Sequence, residues 1–470
     1  MAIRIYNSLT KKKEDFVPLE EKVVRMYTCG VTVYDQCHIG HGRSLYIFDV
    51  IRRYLQFRGY DVHFIRNITD IDDKIINRAQ ELQKSWETVV QENIDAYKRD
   101  LKALRIDEAD VEPRATENIE SIQRDITGLI AKGYAYEVDG DVYFRVRQFK
   151  RYGQLSGQSI EKMLEAVRIE PDAKKADPLD FALWKKSKEN EPGWPSPWGT
   201  GRPGWHIECS CMSLKHLQCR TLDIHAGGRD LIFPHHENEI AQAEPLTGKP
   251  FAQYWIHHGL LTINGQKMAK SLGNFITIQE ALKTYRVDAL KMFFLASHYA
   301  SAIDFSDERM KEASKAVEKI SILLKRVEPF SKTKSESKLW EDPSLALPAW
   351  REKFSEAMDD DFNTPKALAC LFDFVSETHR FIDTHQRDRA YHHTITAAGK
   401  LIEQWCHEIF GLLGDDASDK PSEEQERLLQ ERQEARRNKD FRRSDELRDL
   451  LREKGCIVED TKEGQSWRRG

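Results

Sequence analysis

The sequence predicts an α/β fold. A parallel sheet covered by helices is split by an insertion and followed by a helical half and a small C-terminal domain. Three observations carry this. Residues 23–29 (VVRMYTC) form a short apolar, β-leaning run that ends at Gly30. Residues 41–60 then place Leu45, Phe48, Ile51 and Leu55 on one helical stripe, and residues 61–69 (DVHFIRNIT) alternate like a strand. Strand, glycine turn, helix and strand make a βαβ unit, which implies a parallel sheet with ligands at the carboxyl ends of its strands.

The other elements follow in order. Gly59 ends the first helix. Residues 71–132 read as mostly helical, and residues 134–146 alternate like a hairpin. Residues 184–205 are rich in Pro, Gly and Trp and read as ordered loop. The α/β pattern resumes over 221–243, so one α/β domain encloses an insertion. From about Ser306 the pattern is helical. Residues 331–348 and the polar run GDDASDKPSEEQ after Gly414 read as linkers, and residues 423–454 as one highly charged helix with interleaved signs.

Composition sets the class. At 470 residues the chain has room for about three domains. Its 40% hydrophobic content supports packed cores, and a net charge of −5 disfavours a protein that coats nucleic acid through overall basicity. No apolar run approaches the roughly 18 residues of a membrane helix, and the first residues carry no secretory pattern. Eight dilute cysteines point to a cytoplasmic, thiol-reduced protein whose cysteines are packed, metal-bound or catalytic.

Two motifs suggest nucleotide chemistry. Cys37-His38-Ile39-Gly40-His41 falls between strand and helix. Gly40 lets a ligand approach the backbone, the helix start offers free N–H groups, and two histidines can donate to a phosphoryl group as charge builds in the transition state. Lys267-Met268-Ala269-Lys270-Ser271 lies between turns at Gly265 and Gly273-Asn274, where two lysines can close over a triphosphate. Each motif alone also suits an ordinary surface loop. Together, in this order, they resemble the HIGH and KMSKS motifs of class I aminoacyl-tRNA synthetases, with Ala269 in place of a serine.

Cysteines and histidines narrow the resemblance. Cys29 ends the first strand, Cys209 lies in GWHIECSC, and His235 and Glu239 stand four apart in FPHHENE, on one face of a helix starting near Pro234. Such a set suits zinc, although by composition His206, His236, Cys211, Cys37 and Cys219 are equally eligible. The segments YTCG…HIGH, RNITDIDDKI, GRPGWHIECS, FPHHENEIAQ and MDDDFNTPKAL resemble the cysteinyl-tRNA synthetase family from about Tyr27 to Leu368.

The resemblance implies a Rossmann-like catalytic domain and one zinc ion per chain, held by Cys29, Cys209, His235 and Glu239. It implies catalysis by His38, His41, Lys267 and Lys270. ATP, with Mg2+, would be bound by Gly40, His38, His41, Lys270, Gly228 and Asp230, and the cysteine pocket would be formed by Thr69 and Trp205. Zinc coordination ionises a thiol but not serine's hydroxyl, whereas a pocket contact of methyl size supplies only about 1–3 kcal/mol; no editing domain is expected. Four protein ligands usually close a site, so substrate binding requires five-coordination or release of one ligand. Ala226, Arg229 and Val31 depart from the family pattern, Val31 standing where a proline is expected after Cys29-Gly30.

Pattern and resemblance together divide the chain. Residues 1–115 form the first half of the catalytic domain, 116–204 a connective insertion and 205–260 the second half. Residues 261–305 form the KMSKS-loop and stem-contact region, 306–414 a tRNA-binding helical bundle, and 415–470 a small charged domain for the anticodon end. Arg432, Arg436, Arg437, Lys439, Arg442 and Arg443, with Trp467-Arg468-Arg469, suit RNA contact. The implied reaction is ATP-dependent attachment of L-cysteine to tRNA(Cys) through cysteinyl-adenylate, by a cytoplasmic monomer without membrane contact. The alternatives are a mycothiol-type ligase joining cysteine to an amino-sugar, a non-catalytic synthetase-like RNA-binding protein, and a generic nucleotidyltransferase sharing only the HxGH loop.

Overall fold

The structure is a computed structural model describing residues 2–166, 174–268, 272–331, 345–414, 423–454, 456–461 and 464–469. It divides into two compact units, Met1–Leu412 and Leu413–Gly470.

The first unit is organised by a four-stranded parallel sheet. Its strands are β1 (Val23–Thr32), β2 (Asp61–Thr69), β3 (Leu222–Gly228) and β4 (Ala252–His258), in the order β4-β3-β1-β2. Three helices position the site: α1 (Ile39–Phe57), α2 (Trp205–His216) and α3 (Glu237–Thr247). Because β2 and β3 flank β1 on opposite sides, the strand order reverses at β1. Such a switch point opens a crevice at the strands' carboxyl ends. The expected α1 stripe is buried throughout, with Leu45, Phe48, Ile51 and Leu55 each at most 4% exposed, so its apolar period faces the core.

β1 does not stop at Gly30. It continues to Thr32 after a register shift between Thr28 and Val31, and Val31 pairs with Ile68. The shift has a local cause. Gly30 N–H donates to Asn67 Oδ1 at 2.8 Å, and a Cβ at position 30 would fall 1.6 Å from the Asn67 carbonyl oxygen. Val31, where the resemblance implies proline, keeps the N–H and extended shape of a strand residue and is buried.

The insertion is an antiparallel sheet of Ala135–Val138, Asp141–Phe144, Phe181–Lys186 and Gly201–Pro203, in chain order. The 184–205 segment is therefore not loop throughout. Trp184 is a fully buried strand residue paired with Pro203, and Trp205 starts α2. Pro203 is tolerated because its strand lies on the sheet edge.

Downstream, helices Asp307–Ser331, Leu347–Asp359, Thr364–His385 and His392–Gln404 form a bundle, in which Phe354 stacks on Trp405 at 4.3 Å. Residues 332–344 of the first predicted linker and 415–422 of the second lie outside the described residues.

The second unit contains two helices, Glu423–Arg437 and Phe441–Glu453, and a hairpin of Cys456–Thr461 and Gly464–Arg469. The predicted single charged helix is broken at Lys439, whose φ is +58°, and restarts where Asp440 accepts from Arg443 N–H. Alternating charges hid that break, and the hairpin gave too short a pattern to read.

Candidate metal centre and nucleotide site

The four expected ligands come from three elements and converge. Cys29 sits at the bulge in β1, Cys209 one turn into α2, and His235 and Glu239 across the start of α3. One donor atom from each lies within 4.8 Å of all the others. The Cys29 and Cys209 sulfurs are 3.9 Å apart, Cys29 Sγ is 3.5 Å from Glu239 Oε1, and His235 Nε2 is 3.0 Å from the same oxygen. Tetrahedral zinc at ordinary bond lengths separates two sulfurs by roughly 3.8 Å, and a sulfur from an oxygen by roughly 3.5 Å. His235 Nε2 is buried without a hydrogen bond of sound geometry and lies among anionic donors, where an ion would take the place of its proton. Donor type, spacing and the unpartnered Nε2 all fit zinc.

A second overlapping group, Cys29, His225, His236 and Glu239, meets the same spacing. There, however, His225 Nε2 is engaged with Glu239 Oε2 at 2.7 Å, and His236 Nδ1 with His257 Nε2 at 2.8 Å. His236 Nε2 also lies 3.3 Å from Cys29 Sγ, so these histidines line the same cluster of donors. His206 Nδ1 likewise meets His235 Nδ1 at 2.9 Å, and Trp205 stacks on the His235 ring at 4.1 Å.

Sequence reasoning did not select His225 or His257. Their position near the carboxyl ends of parallel strands was the available signal, but the cross-chain contacts were not legible. Of the other residues eligible by composition, Cys211 is buried beside Asp125, Cys37 is buried near Asp100, and Cys219 lies by Arg25 and Asp223.

The electrostatics follow from this crowding. Burial raises Glu239, but His225 and His235 outweigh it and hold the carboxylate well below its usual range. The contact with Cys29 brings Cys209 down to about 6, while burial and Cys209 push Cys29 up. Burial opposes a charge on His235, yet Glu239 and Cys209 lift it to about 10.

The HxGH residues lie at the start of α1. His38 is the N-cap: its Nδ1 accepts from His41 N–H, and His41 Nδ1 accepts from His38 N–H, each at 3.2 Å. Both Nδ1 atoms act as acceptors, so each neutral ring carries its proton on Nε2. The rings stack at 3.7 Å. Burial lowers His38 to about 4 and His41 to about 3, leaving two neutral N–H donors at pH 7. A Cβ on Gly40 would sit 2.9 Å from the His38 ring and 3.3 Å from Met268 Cε, so glycine is required for this closeness and Met268 lies over the turn.

Lys267 is exposed at the end of the short strand Gln266–Lys267, and its carbonyl accepts from Asn274 Nδ2 at 3.1 Å. Lys270, with Ala269 and Ser271, lies outside the described residues. Backbone bonds from Ile39 to Ile276 and from Ile278 to Cys37 tie the segment after this loop to the HxGH turn.

Thr69 is buried at the end of β2 and accepts from Asn67 Nδ2 at 3.2 Å. Gly228 closes β3, and a Cβ there would meet Asp230 Oδ1 at 2.4 Å and lie 3.5 Å from His258 Nε2.

In the second unit, Arg432 is not a surface cation. It is fully buried, donating to both Asp460 oxygens at 3.1 and 2.9 Å and to Gln465 Oε1 at 2.6 Å. Arg436 also pairs with Asp460. Phe441 is 62% exposed, and Arg437, Lys439 and Arg442 near it are exposed. The side chains of Trp467, Arg468 and Arg469 lie outside the described residues. No helix among the described residues is long and apolar enough to cross a membrane.

Comparisons with known proteins agree along the whole chain. Residues 15–315 match the family profile of the class I (C) tRNA synthetase catalytic domain, residues 353–414 a DALR domain, and residues 419–468 the cysteinyl-tRNA ligase anticodon-binding domain. Cysteine–tRNA ligase from Sulfurihydrogenibium sp. is 48% identical over 492 aligned residues, covering 100% of both chains. The ligase of the same name from Geobacter sulfurreducens is 48% identical over 480, again covering 100% of both. The fold resembles Mycobacterium tuberculosis methionyl-tRNA synthetase in complex with methionyl-adenylate. There the TM-score is 0.63 at 16% identity, covering 83% of this chain and 92% of that one. With the family profiles and full-length relatives pointing the same way as the converging thiols, histidine and glutamate, the chain belongs to the cysteine–tRNA ligases, a family of class I aminoacyl-tRNA synthetases.

Proposed function

We propose that the enzyme activates L-cysteine with ATP as cysteinyl-adenylate and transfers it to a terminal ribose hydroxyl of tRNA(Cys), the 2′-OH in this class. Cys29, Cys209, His235 and Glu239 would hold one zinc ion. Bound there, zinc would supply a Lewis acid that ionises the substrate thiol and leaves serine's hydroxyl a poor ligand. Trp205, stacked on His235, walls the cysteine pocket, and Thr69 lines it.

The residues of the chain account for the phosphoryl chemistry. The cysteine carboxylate attacks the α-phosphorus of ATP, supplied with Mg2+, and pyrophosphate leaves. His38 and His41 donate through Nε2–H as negative charge builds, and Lys267 and Lys270 close on the triphosphate. Gly40 gives the phosphates room, while Gly228 and Asp230 face the ribose or the substrate amine. No protein nucleophile is needed because the adenylate is already activated.

The helical bundle and the second unit would carry tRNA recognition, with Phe441 as a stacking surface for an unpaired base amid Arg437, Lys439 and Arg442. The division at residues 115, 204, 260, 305 and 414 assigns these tasks, and translation places them in the cytoplasm. The match of residues 419–468 to an anticodon-binding domain supports tRNA over an amino-sugar acceptor.

The observation that carries this reading is the convergence of two thiols, an imidazole and a carboxylate at the sheet's switch point. Elemental analysis combined with aminoacylation tests it. One zinc per chain and charging with cysteine but not serine are expected; a metal-free active enzyme, or equal charging with serine, would overturn it.

A further inference from the structure

The catalytic histidines are not the only polar groups on α1 that face inward. Arg43 donates to the carbonyls of Gly259, Leu260, Tyr299 and Ser301 at 2.6–3.1 Å. One turn on, the Tyr46 hydroxyl donates to Phe410 O at 2.7 Å. Lys291, on helix Val287–Leu295, donates to the next carbonyl, Gly411 O, at 2.8 Å and to Arg105 O at 3.0 Å, with its ammonium 5.1 Å above the Tyr46 ring. Tyr46 and Lys291 are both buried. Gly411 has φ +55°, and a Cβ there would approach Lys291 Nζ to 3.2 Å.

These carbonyls occupy a particular place in the chain. Phe410 and Gly411 are among the last residues of the first unit, which ends at Leu412. The chain's exit toward the second unit is therefore held by α1, the helix that begins with His38 and His41. At about 1.5 Å per residue, Tyr46 is only about 8 Å along that helix from His41. Burying an ammonium is costly unless its donors are used. Here two are spent on backbone carbonyls, Gly411 at the exit and Arg105 in the catalytic core, rather than on a carboxylate. Asp49 and Asp288, the nearby acids, are engaged by Arg53 and Arg105. This arrangement fixes a backbone position.

We propose that Tyr46 and Lys291 form a latch that positions the exit of the first unit against the HxGH helix, and that the latch serves the tRNA-dependent step rather than adenylate formation. It rests on the reading above. Adenylate formation requires only the catalytic unit. Charging requires that both units act on one tRNA, so an error at the chain's exit is felt only when the RNA spans them.

Tyr46→Phe removes one oxygen from a side chain that otherwise keeps its packing, and Lys291→Met removes the ammonium at similar length. In the full-length, metal-loaded enzyme, cysteine-dependent ATP–pyrophosphate exchange is expected to stay within about twofold for Tyr46→Phe. The kcat/KM for tRNA cysteinylation is expected to fall by about tenfold, the scale of one hydrogen bond lost to a buried acceptor. Lys291→Met is expected to show the same split more strongly, and Tyr46→Phe alone carries the test if that variant does not fold. Equal losses in exchange and charging would reduce the latch to a support for α1. Unchanged charging in Tyr46→Phe would make it packing only. Failure of the unsubstituted enzyme to charge tRNA with cysteine would instead overturn the proposed function.

Discussion

Two histidine-bearing regions lie at neighbouring strand ends, and their imidazoles are shifted in opposite directions. At the start of α1, His38 and His41 each accept a backbone N–H, and no carboxylate among the described residues is hydrogen-bonded to either ring. Burial outweighs the field of Asp230 on His38 and drives the two to about 4 and 3. At the start of α3, His235 is buried more deeply still, yet Glu239 and Cys209 raise it to about 10. Desolvation works the same way in both; the neighbouring anions decide the outcome. The first arrangement suits neutral donors facing phosphate. The second concentrates negative donors where a cation would settle.

That contrast can be broken at several points. The largest effect is expected from Cys209→Ser. Metal content and cysteine activation should fall together, activation on the order of 1,000-fold, because the ligands act as a unit. Unchanged zinc stoichiometry would remove Cys209 from the set. His41→Ala should slow adenylate formation by about 100- to 1,000-fold, the scale for losing one transition-state donor. Metal content and cysteine binding should change little, as single-turnover and binding measurements would show. A proportional loss of cysteine affinity would contradict the division of labour.

Ending the chain after Gly414 should leave pyrophosphate exchange intact while tRNA charging falls on the order of 100-fold, through loss of a second contact on the same RNA. Intact charging would deny the second unit its role.

The smallest effect concerns pH. Because the folded values of His38 and His41 lie below the ordinary 6.5, the unfolded chain binds more protons between about 4 and 6.5. Stability should therefore rise with pH across that window and decline as pH falls through it. The slope in thermal unfolding should be shallower for His41→Ala. A slope unaffected by the substitution would mean that His41 is not held neutral.

What the sequence disclosed depended on how locally each feature is encoded. The α1 stripe was legible because Leu45, Phe48, Ile51 and Leu55 repeat within one helix, and the His235–Glu239 pair because four residues make one turn. The βαβ pattern and its later resumption disclosed a parallel sheet, but the order β4-β3-β1-β2 is a tertiary fact that no segment carries. The partners of Glu239 were not legible, since His225 comes from another strand and only tertiary contact brings them together. Arg432 read as a surface cation for the same reason: its partner Asp460 is 28 residues away on a hairpin. The extension of β1 through Val31 depends on the amide of Asn67 in the neighbouring strand, which no single segment discloses.

Gly30 has a consequence beyond its hydrogen bond. Since the neighbouring strand's carbonyl occupies the volume a methyl group would need, heredity has almost no freedom at this codon, and the address of Cys29 is protected by the residue beside it.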